Sequence, residues 1–305
     1  MKENNAKDLK NILNYMPDYL KQSASELLDK YGKEVNEIRM RVGKPAVAML
    51  TNKHQFIRKE IPVSQSDISS TFEKICDYSV YSHQNELSHG YITLPGGHRV
   101  GICGTAAFDK NGNRTLKYIS SLNIRIAGEQ LGCSDKIFDG LFSDTICGTL
   151  IAGPPCSGKT TLLKDIALKL SSSPYYRKVV MVDEREELAS VYRGVPQNSV
   201  GEFCDVLSGY PKAEGIINAV RTLSPEIIIC DEIGDKADAE AVIDVVNAGI
   251  DIISSVHARN ADELYRREPI KKLLKSGAFE KIVFLKGGSS RCEPDSVIEV
   301  KDYGV

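Results

Sequence analysis

Tryptophan is absent from the 305 residues, and the chain has almost no excess of charge: 39 Lys and Arg against 41 Asp and Glu, a formal balance of −2. Without a basic excess there is no global positive field to gather a polyanion, so no nucleic-acid partner is expected. Eight cysteines stand at 76, 103, 133, 147, 156, 204, 230 and 292, and none forms a C-x-x-C pair. That spacing argues against zinc-finger and thioredoxin-like chemistry, and the length of the chain and the lack of an export signal argue for thiols kept reduced in a cytosol. Long apolar runs are missing too. The start, MKENNAKDLKNILNYM, is too polar for the core of an export signal. The most apolar stretches, such as Pro225 to Ile229, have strand length and fall far short of the roughly 20 residues that span a bilayer. The expectation is a soluble, cytoplasmic protein with no direct membrane insertion.

What is present suggests two domains, since 305 residues exceed the roughly 100–200 usual for one. Residues 1–130 read as α+β. A helical pattern over Leu9–Leu28 is interrupted at Pro17, and extended runs follow at Val35–Met40 and Ala46–Leu50. Ile68, Phe72 and Ile75 recur at helical spacing and predict a helix over Asp67–Tyr81. Strand-like Arg99–Phe108 and Lys117–Ile126 flank Lys110-Asn111-Gly112-Asn113, a hairpin-turn signal. Ala127–Asp135 is the candidate linker. From 136 to 305 strands and helices alternate: Gly148–Ala152, Lys178–Asp183, Glu226–Asp231 and Ile250–Val256 read as strands, with a closing hairpin of Lys281–Leu285 and Ser296–Val300. That alternation implies an α/β domain built on a mostly parallel, doubly wound sheet.

Gly153-Pro154-Pro155-Cys156-Ser157-Gly158-Lys159-Thr160 fits G-x-x-x-x-G-K-[ST] completely, between an apolar strand and a helix with Leu162, Leu163, Ile166 and Leu170 on one face. Such a loop curls its N–H groups around phosphate at a helix N-terminus. Gly153 to Thr161 are therefore the candidate ATP-binding residues. Lys159 would neutralise β- and γ-phosphate oxygens, and the Thr160 hydroxyl would ligate Mg²⁺. The run Glu226–Cys230 is a buried parallel strand ending in Asp231 and Glu232, where α/β folds place ligands. Asp231 would hold Mg²⁺ through water, while Glu232 would orient or deprotonate the attacking water. Val179–Val182 runs into Asp183, Glu184, Arg185, Glu186 and Glu187, equally readable as a charged strand-to-helix exit. His257 ends another strand and is a candidate at the same sheet edge, although a lone histidine is more often structural or exposed.

Taken together, the P-loop, the Asp183–Leu188 acidic strand, Asp231-Glu232 and Ser255-Val256-His257-Ala258-Arg259-Asn260-Ala261 resemble the Walker A loop, Asp box, Walker B motif and His box of the type II and type IV secretion ATPases. The resemblance covers about half the chain and implies a RecA-like ATPase domain preceded by a smaller α+β domain. Inside that superfamily a compact sporulation branch is the nearest resemblance. It is carried by Glu37–Pro45, by Gly96-Gly97-His98-Arg99-Val100-Gly101-Ile102-Cys103-Gly104-Thr105-Ala106 and by Ser120–Ala127. The resemblance implies a homo-hexameric motor, peripheral at the membrane on the mother-cell side. It would dock to membrane-embedded channel components from the cytosol and energise a secretion-like trans-envelope channel during sporulation. By the same resemblance, Glu232 and the Asp-box acids Asp183, Glu184 and Glu187 position water, His257 senses the γ-phosphate, and Arg99 and Arg125 stabilise the transferring phosphoryl group. Two departures stand out. Walker B ends Asp231-Glu232-Ile233-Gly234 where the superfamily has Gly-Glu followed by Arg, and the Asp box begins Asp183-Glu184 rather than Glu-Asp. The alternatives are a nucleic-acid-dependent P-loop ATPase, or a nucleotide-dependent scaffold with little turnover.

Overall fold

The computed structural model describes residues 9–108, 114–142, 145–288 and 290–303. The chain divides into two units, Met1–Gly128 with Tyr192–Gln197, and Glu129–Val191 with Asn198–Val305. The short return of 192–197 to the first unit has no signal in the sequence; within that unit Arg193 pairs with Asp77, and the Gln197 side chain accepts from the Gly96 amide at 2.7 Å.

The first unit carries a six-stranded antiparallel sheet in the order β3-β2-β1-β6-β5-β4. Its strands are β1 (Val35–Arg41), β2 (Val47–Leu50), β3 (His54–Phe56), β4 (Tyr91–Thr93), β5 (Arg99–Phe108) and β6 (Arg114–Arg125). Pro17 does interrupt the first helix: a 3-10 turn at Ile12–Tyr15 precedes α1, Asp18–Tyr31. The second helix, α2, spans Gln65–Ile75 and starts in a capping box between Ser64 and Asp67. It is shorter than its pattern predicts, because Asp77 and Tyr78 take left-handed backbone (φ 48° and 59°) that no helix continues through. A short α3, Gln84–His89, follows. Ile12, Leu20, Ile38, Met40, Ile68 and Ile124 share this unit's core. The turn signal at 110–113 lies outside the described residues.

The second unit is a mostly parallel α/β domain with strand order β13-β12-β7-β11-β10-β8-β9. Its strands are β7 (Thr149–Gly153), β8 (Val179–Asp183), β9 (Cys204–Ser208), β10 (Ile227–Cys230), β11 (Asp251–His257), β12 (Lys281–Leu285) and β13 (Pro294–Glu299). All pair in parallel except β13, which closes an edge as an antiparallel hairpin with β12. The helices are α4 (Asp135–Phe142), α5 (Lys159–Leu170), α6 (Lys212–Leu223), α7 (Lys236–Asn247), α8 (Ala261–Tyr265) and α9 (Glu268–Lys275). Strands β7, β8 and β10 are buried along their whole length, as a sheet covered on both faces requires. Alternation sends Leu150, Val180, Val182 and Ile228 to a core shared with Ile216, Val242 and Leu273. The intervening Ile151, Val179, Met181 and Ile229 pack with Phe138, Leu162 and Ile166 on the other face. Each such side chain contributes about 2 kcal/mol through burial. Edge strand β9 was not foreseen; its half-buried Cys-Asp-Val-Leu-Ser lacks a continuous apolar run.

The expected linker Ala127–Asp135 is only partly one. The units divide at Gly128/Glu129, and beyond that point the chain is fastened to α5. The Asp165 carboxylate accepts from the Gly132 amide (2.7 Å), the Ser134 amide (2.8 Å) and the Ser134 hydroxyl.

Candidate nucleotide site

Strand β7 ends at Gly153, where any side chain would meet the Ser157 Oγ at 2.6 Å and Leu285 Cβ at 3.1 Å. The chain then turns through Cys156 (φ 62°) and Gly158 (φ 95°) into the N-terminus of α5. The Ser157 hydroxyl of this loop is buried and without a hydrogen-bond partner among the described residues. Lys159, the first residue of α5, folds back: its Nζ donates to the carbonyls of Gly153 (3.0 Å) and Pro154 (3.1 Å) and to Nδ1 of His257 (2.9 Å). Burial depresses the basicity of this amine, against the opposing pull of Asp231 and Glu232.

The register of the sheet delivers the other groups. His257 pairs with Gly153 at the ends of β11 and β7, and Cys230 pairs with Ser254 at the end of β10. Asp231 follows, its Oδ2 accepting from the Thr160 hydroxyl at 2.8 Å and its Oδ1 from the Glu232 amide at 2.9 Å and from the Ser255 hydroxyl. Glu232 sits in left-handed backbone (φ 39°). One of its carboxylate oxygens lies 3.5 Å from Nε2 of His257, and the other accepts from Arg185 at 2.9 Å.

These groups rim a cavity of about 420 Å³ lined by Pro155, Cys156, Gly158, Lys159, Thr160, Thr161, Arg185, Glu187, Asp231, Glu232, His257 and Arg291. All of them belong to the second unit. An acidic group hydrogen-bonded to a hydroxyl beside a phosphate-shaped loop suits Mg²⁺, which takes one or two protein oxygens and leaves its other positions to water and phosphate.

The structure separates the Asp-box acids. Glu187 reaches the cavity. Asp183 does not: it is buried, and its carboxylate accepts the main-chain amides of Glu187 (2.8 Å), Leu188 (3.0 Å) and Ala189 (2.8 Å). A carboxylate so committed shapes the turn that carries Glu187 rather than handling water. Glu184 faces the Lys212 ammonium at 3.5 Å. Arg99 and Arg125 belong to the first unit, opposite one another on β5 and β6, with the Arg99 guanidinium 4.5 Å from the Tyr91 ring centre. Sequence reasoning did not single out Arg185, Ser255, Lys212 or Arg291. Arg185, inside the Asp box, and Ser255, at the start of the His box, carried a signal; Lys212 and Arg291 carried none.

Fold and site together define a RecA-like α/β domain carrying a P-loop, which follows a smaller α+β unit in the chain. The chain belongs to the family described as Sporulation stage III, protein AA, whose model matches residues 6–302. It is 35% identical over 301 residues to Stage III sporulation protein AA of Bacillus subtilis (strain 168), spanning 95% of this chain and 94% of that protein. Among solved structures it resembles the Legionella pneumophila ATPase DotB (TM-score 0.56, 19% identity, 85% of this chain and 74% of that one). It also resembles the pilus retraction motor PilT with bound ADP (TM-score 0.59, 16% identity, 85% and 76%). At these identities the two structures speak to the fold. Among the described residues no helix is long and apolar enough to cross a membrane.

Proposed function

We propose that the chain hydrolyses Mg-ATP and works as a ring-forming motor, a homo-hexamer that energises a secretion-like trans-envelope channel during sporulation. The observation that carries the reading is the convergence of Lys159, Thr160, Asp231, Glu232 and His257 on one cavity at the carboxyl ends of β7, β10 and β11. Family membership and the fold shared with a pilus retraction motor support the motor role. The P-loop amides and the α5 N-terminus would cradle the phosphates, with Lys159 exchanging its carbonyl contacts for phosphate oxygens. Mg²⁺, held by Thr160 and through water by Asp231, would offset charge on the phosphate oxygens. Glu232 would orient the attacking water, and Glu187 flanks the same cavity. In the assembled motor Arg99 and Arg125 are the candidates for a transition-state contact, and the ring would dock from the cytosolic side onto membrane-embedded components.

The test is ATP turnover per chain, with Mg²⁺, over a wide range of protein concentration, using Lys159→Ala as control. A rate that climbs steeply with concentration supports a shared site in a ring, whereas a flat, substantial rate describes a self-sufficient monomer. ATP bound but not turned over favours a scaffold, and stimulation by single-stranded nucleic acid favours a translocase. Lys159→Ala should weaken ATP binding by roughly 30-fold or more, the loss of about 2 kcal/mol from one charged hydrogen-bonding group. Tight binding retained by that variant overturns the P-loop assignment.

A further inference from the structure

Lys212 opens α6, where the helix presents its unpaired amides and the positive end of its dipole. A cation is disfavoured there. It is also only 8% exposed, so its charge has lost most of its water. Two unfavourable placements of one ammonium need compensation, and three acceptors supply it. Nζ donates to the main-chain carbonyl of Glu232 at 2.7 Å, and faces Glu184 at 3.5 Å and Asp238 at 3.6 Å. One hydrogen bond and two ion pairs thus surround the ammonium. The approach is possible because Gly215, one turn on, has no side chain: a Cβ there would stand 2.6 Å from Val182 Cγ1 of β8.

The bond to Glu232 falls on a strained residue. Glutamate at φ 39° sits in left-handed backbone that strains an L side chain and persists only where its surroundings hold it. Its amide is held by Asp231 and by the Ser255 hydroxyl at 3.1 Å, and the next amide, of Ile233, by the Ser255 carbonyl at 3.0 Å. Its carbonyl is held by Lys212. Asp238, which faces Lys212, also accepts from the Gly234 amide at 3.1 Å. The peptide is therefore clamped on both sides, and the clamp determines where the Glu232 carboxylate points.

We infer that Lys212 is a positioning residue for Glu232: it locks the left-handed peptide that aims this carboxylate into the nucleotide cavity, and ties it to Glu184 of the acidic strand. The inference rests on the ATPase reading above. It adds a part that no motif in the chain marks.

The test compares Lys212→Met, close in length but uncharged, with the unaltered full chain. Turnover should fall roughly tenfold or more, while the affinity for a slowly hydrolysed ATP analogue stays within about threefold. Hydrogen exchange at amides 231–235 should quicken. In a Glu232→Gln background there is no carboxylate left to aim, so Lys212→Met should change the residual rate by less than about twofold. If that variant does not fold, Lys212→Arg keeps the charge facing Glu184 and Asp238 but replaces the compact ammonium with a planar fork. The same split between turnover and binding is expected of it. Unchanged turnover and exchange, a full additional loss in the Glu232→Gln background, or a loss of affinity matching the loss of rate would each overturn the inference. An unaltered chain that does not bind Mg-ATP would instead overturn the ATPase reading. If it binds without turnover, exchange at 231–235 decides alone.

Discussion

Nζ of Lys159 donates to Nδ1 of His257 across 2.9 Å, and this contact sets the chemistry of the whole ring. An ammonium offers donors only, so Nδ1 must accept and the ring hydrogen resides on Nε2. Nε2 lies 3.5 Å from the Glu232 carboxylate. One imidazole therefore stands between the group that would bind phosphate and the group that would orient water. Removing it leaves the loop and its lysine in place. His257→Ala should keep ATP affinity within about threefold while turnover drops roughly tenfold or more, as expected when only a transition-state contact is lost. Single-turnover rates beside equilibrium binding would separate the two, and parallel losses would mark His257 as a binding residue.

Glu232 and Glu187 both reach the cavity, and only one need handle water. Glu232→Gln keeps shape and hydrogen-bonding capacity while removing the negative charge. Binding should survive, with turnover lowered by about a hundredfold or more, a hundredfold being the lower end of what a general base contributes. Undiminished hydrolysis would transfer the role to Glu187.

The sequence was most readable where the chemistry is contiguous. The P-loop and the Ile227–Cys230 strand ending in Asp231-Glu232 announce themselves because a few neighbouring residues carry both the fold signal and the candidate chemistry. His257 was ambiguous alone and became specific only in company. Asp183 resisted because an acid at a strand end looks the same whether it faces water or three main-chain amides; only the turn, with Glu186 at φ 55°, settles that. Lys212 resisted for the opposite reason: a lysine beginning a helix resembles surface, and its burial depends on Gly215 meeting a strand more than thirty residues earlier. The helix over 67–81 was overextended because hydrophobic spacing continues past Ile75 although the backbone reverses at Asp77.

Gly158 is constrained from two directions. At φ 95° a side chain is strained, and its Cβ would lie 2.5 Å from the Cys292 sulfur and 2.8 Å from the Cys292 nitrogen. That nitrogen already donates to the Ser157 carbonyl at 2.8 Å and cannot retreat without breaking the bond. Gly158→Ala should destabilise the second unit by about 2–4 kcal/mol, combining backbone strain with overpacking. Urea unfolding would measure it. Adding Cys292→Ala removes the sulfur but not the main-chain nitrogen, so most of the loss should remain; full rescue would show that the thiol alone was the obstacle.

Asp165 offers a test by pH. Burial alone would raise its pKa, but the Ser134 hydroxyl, the amides of Ser134 and Gly132, and Lys169 together outweigh it and hold the carboxyl below its ordinary range. With the folded pKa depressed, the unfolded chain binds the proton more readily, so stability falls as protons are added. The contribution is complete above the unfolded value of about 3.9 and disappears as pH drops through the lower folded value. Asp165→Asn should cost about 2–3 kcal/mol at neutral pH, because a neutral amide replaces a buried charged acceptor of three hydrogen bonds. The gap between variant and unaltered protein should then narrow in acid. Chemical unfolding from pH 7 down to about 2.5, a series that reaches well below the unfolded carboxyl value, would follow it. A gap constant across that series would mean that Asp165 holds the 132–134 segment by shape, with no part played by its charge.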